Sequence, residues 1–133
     1  MKNALFAGLA LITLAACGGD TVQTPPASAK GAEATLDAYY TSAAEADFET
    51  WIAQFTDDAR FYGTDATEDW PIAEVAEGIE ESFAEGNGWD FEILDRRVTV
   101  APGGQIAWFA ELAHFANTDY TLRPTGVLVN QNG

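Results

Sequence analysis

The chain changes its periodicity within residues 71–100, which read PIAEVAEGIEESFAEGNGWDFEILDRRVTV. As far as the Gly-Asn-Gly at 86–88, apolar side chains recur every three or four residues, and most of the glutamates fall on the opposite helical face. Beyond Gly88, apolar and polar side chains alternate, which is typical of a strand with one buried face. A helical part followed by a β-rich part predicts an α+β fold, in which helices pack on an antiparallel sheet.

Two more helices are predicted before this stretch. The first covers residues 32–46, where the apolar stripe consists of Leu36, Tyr39, Tyr40 and Ala43. The second follows Asp47, because aspartate is a preferred cap of a helix N-terminus. Its apolar residues at helical spacing are Phe48, Trp51, Ile52 and Phe55.

The third helix is expected to begin at Pro71, a residue type that suits the first helical turn. Glu68 and Asp69 are expected at the positive end of its dipole. Between the second and third helices, residues 59–63 predict a short strand.

Three longer strands are predicted after the helices. Residues 89–100 form the first, with an irregular stretch at 95–97 that suggests a β-bulge. Residues 105–115 and 120–129 form an antiparallel pair. The Asn-Gly at 132–133 is a strong hairpin signal, so we expect one further strand to follow residue 133.

The first residues have the layout of a bacterial export signal. Lys2 gives a positive start, residues 4–14 are apolar, and two alanines precede Cys17. The apolar run is shorter than the roughly 20 residues of a membrane-spanning helix. The sequence Leu-Ala-Ala-Cys at 14–17 resembles the lipobox of bacterial lipoproteins, in which the cysteine is lipidated and becomes the mature N-terminus.

This resemblance divides the chain into a signal peptide at 1–16, a lipidated Cys17 with a flexible tether up to residue 31, and a domain at 32–133. The tether is expected because its small and polar residues bury too little surface to order it. The resemblance implies that Cys17 holds the protein to a membrane in the bacterial cell envelope, facing the periplasm. Gly18 favours the outer membrane over the inner one.

The charge excludes one class of partner. The chain carries 21 acidic and 6 basic residues, a net charge of −15. Such a surface repels phosphates, so no nucleic acid is expected to bind. The acids lack the spacing of a calcium loop, and the single histidine cannot build a zinc site, so neither a metal nor another cofactor is predicted.

Three segments resemble the SnoaL-like branch of the nuclear transport factor 2 superfamily: FYGTDATEDW at 61–70, IAWFAEL at 106–112, and TGVL at 125–128. The resemblance extends from about residue 35 to residue 133. It implies a cone, in which three N-terminal helices pack on a curved antiparallel sheet. The interior of the cone is a ligand pocket or an active site in that family.

A register can be predicted for the last two strands. If paired residue numbers sum to 234, Glu111 lies opposite Arg123, close enough for an ion pair, and Trp108 lies opposite Gly126. A slip of one residue would send Glu111 and Arg123 to opposite faces. We predict that a small apolar or carboxylate-bearing molecule binds in the pocket, with contacts from Tyr40, Trp70, Trp108, Glu111 and Arg123. The alternative is that the Glu111–Arg123 ion pair is purely structural and contacts no ligand.

Catalysis has two weak candidates, Asp65 and His114. His114 could act as a base in a lyase or isomerase that transfers a proton, but no partner orients it. Asp65 would need an apolar pocket to raise its pKa, and an acid before a helix has a structural role. No catalysis is therefore evident. A third hypothesis is a homodimer that forms through the outer face of the sheet, since relatives pair there.

Overall fold

The computed structural model describes residues 26–131. The expected signal peptide, Cys17, most of the expected tether and the Asn-Gly at 132–133 lie outside the described residues. Within residues 26–131, no helix combines the length and the apolar character needed to cross a membrane.

Three helices form where the periodicity predicts them. They are α1 (Ala29–Glu45), α2 (Phe48–Ile52) and α3 (Ile72–Ala84). The predicted start of α1 at residue 32 is wrong, because the helix begins at Ala29. Ser28 caps it and accepts a hydrogen bond from the Gly31 amide at 3.0 Å. Residues 29–31 are therefore the first residues of α1.

A small hairpin precedes α3. It pairs β1 (Arg60–Tyr62) with β2 (Asp69–Pro71), and β2 was not predicted. Asp69 therefore lies in β2, three residues before the start of α3. Its carboxylate lies 2.6 Å from Arg60 Nε across the hairpin, and Pro71 is the N-cap residue of α3 instead of its first helical residue.

The main sheet contains β3 (Phe91–Val100), β4 (Ile106–Phe115), β5 (Thr121–Leu122) and β6 (Thr125–Val129). All pairs are antiparallel, with β4 between β3 on one side and β5 and β6 on the other. The expected continuous strand at 120–129 is interrupted at Arg123 and Pro124, since proline has no N–H for a strand ladder.

The core lies among the three helices and the start of the sheet. Trp51 is fully buried and packs with Ala43, Ile72 and Phe83. The ring of Trp89, just before β3, meets the ring of Trp51 edge-on at a centroid distance of 5.9 Å. A helical layer on an antiparallel sheet confirms the α+β prediction.

Candidate functional site

A cavity of about 1500 Å³ lies between α1, the segment at 53–64 that contains β1, and the inner face of the sheet. Its size exceeds the several hundred Å³ of a typical small-molecule site. Nine aromatic side chains contribute to its wall: Tyr39, Tyr40, Phe55, Phe61, Tyr62, Trp89, Phe91, Phe109 and Phe115.

The inner face is set by the alternation of side chains along β4. Ala107, Phe109 and Phe115 contribute to the wall, because every second residue of a strand faces the same way. Phe109 lies opposite Gly126 of β6. A Cβ atom at position 126 would lie 2.6 Å from the Phe109 ring, so the glycine makes room for that ring.

A chain of polar side chains lies behind this wall. The Tyr40 hydroxyl donates a hydrogen bond to Glu111 Oε2, and Arg96 Nε donates to Glu111 Oε1 at 2.5 Å. Arg96 Nη1 also donates to Asp37 Oδ1 at 2.5 Å. The Glu111 side chain is fully buried, and both of its oxygens have a donor.

The β-bulge in β3 decides which residue meets Glu111. From Phe91 to Ile93, paired numbers in β3 and β4 sum to 206, and after Leu94 they sum to 207. An unbroken register would place Asp95 opposite Glu111. The extra residue places Arg96 there instead, so the bulge replaces a carboxylate pair by an ion pair.

The network fixes the protonation state of Tyr40. Burial raises the pKa of its hydroxyl, and the hydrogen bond to Glu111 raises it further. Burial also raises the pKa of Tyr39, which forms the adjoining part of the wall. The Tyr40 hydroxyl is thus neutral at ordinary pH. Its hydrogen bond to the Glu111 carboxylate, which also accepts from Arg96, holds it in place. This arrangement offers the cavity a positioned ring and no free base.

Charge is distributed unevenly over the cavity wall. Within the described chain, no acidic residue contributes to the wall, and its charged members are Arg60 and Arg123. Arg60 is neutralised by Asp69. Arg123 forms no ion pair or side-chain hydrogen bond with any residue of 26–131.

The predicted register of β4 and β6 is wrong by one residue. Paired numbers sum to 235, so Trp108 lies opposite Val127, and the Glu111 amide donates to Pro124 O at 2.9 Å. The predicted Glu111–Arg123 pair therefore does not form. Sequence reasoning missed Arg96 as the partner, because the residue opposite Glu111 on β3 depends on the position of the bulge.

Trp108 and Trp70 do not line the cavity, contrary to prediction. Trp108 lies on the outer face of the sheet, 47% exposed, because the odd positions of β4, among them Ala107 and Phe109, face the cavity. Trp70 lies beside a shallow surface depression with Val75 of α3. Of the five predicted ligand contacts, Tyr40 and Arg123 line the cavity and Glu111 lies behind Tyr40; their binding roles stay predictions.

Asp65 and His114 do not contribute to the cavity wall. Asp65 is exposed in the loop before β2, and hydrogen bonds from the Thr67 hydroxyl and amide lower the pKa of its carboxyl. A catalytic base in an apolar site needs the opposite shift. His114 lies opposite Glu92 on the outer face of the sheet, where its Nδ1 is 3.5 Å from the Thr121 hydroxyl. No cluster of three or more potential metal ligands occurs within residues 26–131.

Residues 32–133 match the family model described as SnoaL-like domain. The chain belongs to the SnoaL-like domain family. Its helical layer on an antiparallel sheet is the nuclear transport factor 2-like fold, as the sequence predicts. No curated protein matches the chain.

Two crystal structures are similar to this SnoaL-like chain. One is a candidate polyketide cyclase of Pseudomonas putida, with 17% identity and a TM-score of 0.47 over 71% of this chain and 78% of the other. The second is a candidate polyketide cyclase of Xanthomonas campestris pv. campestris, with 15% identity and a TM-score of 0.48 over 74% of this chain and 84% of the other. At these identities the similarity concerns the fold.

Proposed function

We propose that this SnoaL-like domain binds a small apolar or carboxylate-bearing molecule in its cavity and does not catalyse a reaction on it. The observation that carries the proposal is the cavity of about 1500 Å³, walled mainly by aromatic and aliphatic side chains. Apolar cavities with a few polar groups are the usual form of small-molecule sites.

The groups around the cavity support a proposal of binding without evident catalysis. Proton transfer needs a titrating group within hydrogen-bond reach of the substrate. Tyr40 keeps its proton, because burial and Glu111 raise its pKa. Asp65 and His114 do not contribute to the wall.

Binding of a neutral apolar dye tests the proposal. We expect N-phenyl-1-naphthylamine to fluoresce when it enters the cavity. Thr35→Trp, in the wall on α1, should weaken this binding by filling space. Thr41→Trp on the same helix is the control, since Thr41 is exposed and outside the wall. Equal binding by the wild type and a folded Thr35→Trp variant would refute the cavity as the site.

We also propose that the chain is exported and anchored through a lipid on Cys17. The lipobox-like sequence at 14–17 supports this. Cys17 and Pro26 are nine positions apart, a length that reaches at most about 30 Å when extended, so an anchored domain would lie close to the bilayer. Cys17→Ser should abolish incorporation of labelled palmitate in cells; undiminished labelling would contradict lipidation at this residue.

The outer face of the sheet supports a second candidate, a homodimer. It exposes neighbouring apolar side chains of β4 and β6, namely Ile106, Trp108, Val127 and Val129. A contiguous apolar patch of this kind marks an association surface. Sedimentation velocity should show a dimer that Trp108→Glu dissociates, while Ala73→Glu, on an exposed position of α3, leaves it intact. A monomeric wild type at micromolar concentration would exclude this candidate.

A further inference from the structure

Three segments of the chain meet at one end of the sheet. They are the residues that lead into α1, the turn between β3 and β4, and the end of β6. Gly104 joins them, because its carbonyl oxygen accepts from the Ala27 amide at 2.8 Å and from Asn130 Nδ2 at 3.2 Å. A Cβ atom at position 104 would lie 2.7 Å from Pro26 Cβ, so Pro26 lies against this turn. We call this part of the domain the tether end.

The three segments of the tether end carry no acidic residue. Their single charged residue is Lys30, on a chain with 21 acids and 6 bases. The first acid of α1 is Glu33, which follows them. The tether end therefore lacks, along these segments, the negative charge with which most of this chain would repel anionic lipid headgroups. The segments are residues 26–32, 98–110 and 124–131.

The tether end also exposes apolar side chains on the outer face of the sheet. Ile106 lies opposite Val129 and Trp108 lies opposite Val127, so these four residues form one patch beside the turn, the β4–β6 patch. Their exposed fractions run from 45% to 68%. Such a patch marks contact with a protein or with a membrane. Tryptophan is enriched at membrane–water interfaces, because its ring is apolar and its N–H is polar.

The proposed anchor limits which end of the domain can meet a bilayer. Cys17 and Pro26 are nine positions apart, a length that spans at most about 30 Å when extended. The ten residues of β4 lead from the tether end to the loop at 116–119, also about 30 Å away. For that loop to touch the bilayer, the connection would have to run back along the whole strand at full extension. The short connection therefore favours the tether end.

We infer that the tether end lies on the lipid bilayer that holds the anchor, with the β4–β6 patch in the membrane interface. The inference rests on the proposed lipid on Cys17 and is independent of what the cavity binds. The acid-free segments, the exposed patch and the start of the short connection all occur at this one end. Pro26 and Gln131 also contribute to the cavity wall, so the wall extends to the part of the domain nearest the bilayer.

The homodimer candidate uses the same patch. The two assignments exclude each other, because a patch that a second copy covers cannot contact lipid. A dimer requires neither the lack of acids on three separate segments nor the position of Pro26 at the same end as the patch. A bilayer held through Cys17 accounts for both observations, so we favour the bilayer.

Quenching by a lipid-borne nitroxide tests the inference on the full chain. Cys17 is the only cysteine, and lipidation blocks its thiol, so an introduced cysteine is the single site for a bimane label. Gln105→Cys labels the turn of the tether end, and Asp119→Cys labels the loop beyond the far end of β4; both positions are exposed. The vesicles contain phosphatidylethanolamine, phosphatidylglycerol and a phospholipid with a nitroxide on its headgroup. The label at 105 should lose fluorescence, and the label at 119 should keep it.

Val127→Glu, added to the Gln105→Cys protein, tests the patch itself. It places a carboxylate on an exposed position of the patch and should reduce the quenching at 105, because phosphatidylglycerol repels the new charge. Ala73→Glu is the matched control, since it adds the same charge on an exposed position of α3. It should leave the quenching unchanged. Equal effects of the two substitutions would show that the patch does not contact lipid.

Flotation of the vesicles separates failure of the anchor from failure of the orientation. If the protein does not float with the vesicles, the proposed anchor fails, and the inference fails with it. If the protein floats but the label at 119 is quenched as much as the label at 105, the anchor stands and the orientation is wrong. A dimer in sedimentation velocity that Trp108→Glu dissociates would assign the patch to a second copy and would also overturn the inference.

Discussion

The guanidinium of Arg96 lies 2.5 Å from two carboxylates, Glu111 and Asp37, with Nε on the first and Nη1 on the second. The two pairs differ in solvent exposure. The side chain of Glu111 is 0% exposed, and that of Asp37 is 69% exposed. Water screens the pair with Asp37 and not the pair with Glu111, so equal distances correspond to unequal energies.

Glu111→Ala should therefore destabilise the domain far more than Asp37→Ala. Removing Glu111 leaves the Tyr40 hydroxyl without its acceptor and the largely buried Arg96 with only the exposed Asp37 as a charged partner, at a cost of about 3–5 kcal/mol. Removing Asp37 should cost less than about 1 kcal/mol. Urea unfolding of the two variants measures the difference in free energy.

Glu92→Ala serves as the reference for these variants, since Glu92 is an exposed acid on the outer face of β3. Its free energy of unfolding should stay within about 0.5 kcal/mol of the wild type. Equal losses in Glu111→Ala and Asp37→Ala would contradict the role assigned to burial.

Gly126→Ala should destabilise the sheet and narrow the cavity. The added Cβ atom would lie 2.6 Å from the Phe109 ring and 2.9 Å from its Cζ atom, so the ring must shift. Overpacking of this kind costs about 1–3 kcal/mol. Thermal unfolding measures the loss, and dye affinity measures the cavity.

Gly78→Ala is the matched substitution. Gly78 lies inside α3, where an added Cβ atom has no neighbour within 4 Å. Alanine should stabilise this helix by up to about 1 kcal/mol. If the Gly126→Ala variant were as stable as Gly78→Ala, the Phe109 ring would shift without loss of stability.

The helical half of the fold could be predicted because its signals are local. Asp47 caps α2 through its own carboxylate, which accepts from the Thr50 amide three residues later at 3.2 Å. The apolar stripes of α1 and α3 likewise depend only on spacing within one helix. The strand β2 was missed because its three residues include Pro71 and carry no alternation of their own.

The site was harder to predict, because it depends on pairing between strands. A single residue of register separated Glu111 from Arg123, and the packing of β4 against the helices placed Trp108 on the outer face. The extra residue Leu94 placed Arg96 opposite Glu111. Neither shift changes the local pattern of apolar residues, so no count along one strand reveals it. Tyr40 was found because it lies on the predicted stripe of α1.

Gly104→Ala should detach the residues that precede α1. The Ala27 amide donates to Gly104 O at 2.8 Å, and a Cβ atom at position 104 would lie 2.7 Å from Pro26 Cβ. Hydrogen exchange at the Ala27 amide should accelerate, because its hydrogen bond is lost.

Gly103→Ala separates this contact from backbone strain. Both glycines have positive φ, 93° at Gly103 and 65° at Gly104, so alanine is strained at either position. Only position 104 touches Pro26, since a Cβ atom at Gly103 has no neighbour within 4 Å. Acceleration at Ala27 in both variants would assign the effect to the turn and not to the contact.

The domain should lose stability at alkaline pH through its buried tyrosines. Burial raises the pKa of Tyr40, as does its bond to Glu111, and burial raises the pKa of Tyr39. An unfolded tyrosine releases its proton near pH 10. Above that pH the folded state therefore binds more protons than the unfolded state, and the free energy of unfolding falls as pH rises. Below pH 10 the two states hold the same hydroxyl protons, and this contribution is constant.

Tyr40→Phe should flatten the alkaline part of this profile. It removes one of the two groups that retain a proton on folding, and it also lowers stability by a constant amount because Glu111 loses a donor. Urea unfolding between pH 8 and 11 measures the slope, and absorbance of tyrosinate at 295 nm reports when the groups ionise. Tyr120→Phe is the control, since Tyr120 is 69% exposed. If the alkaline slope were as steep in Tyr40→Phe as in Tyr120→Phe, Tyr40 would ionise in the folded protein. The hydrogen bond from its hydroxyl to Glu111 could not then persist as described.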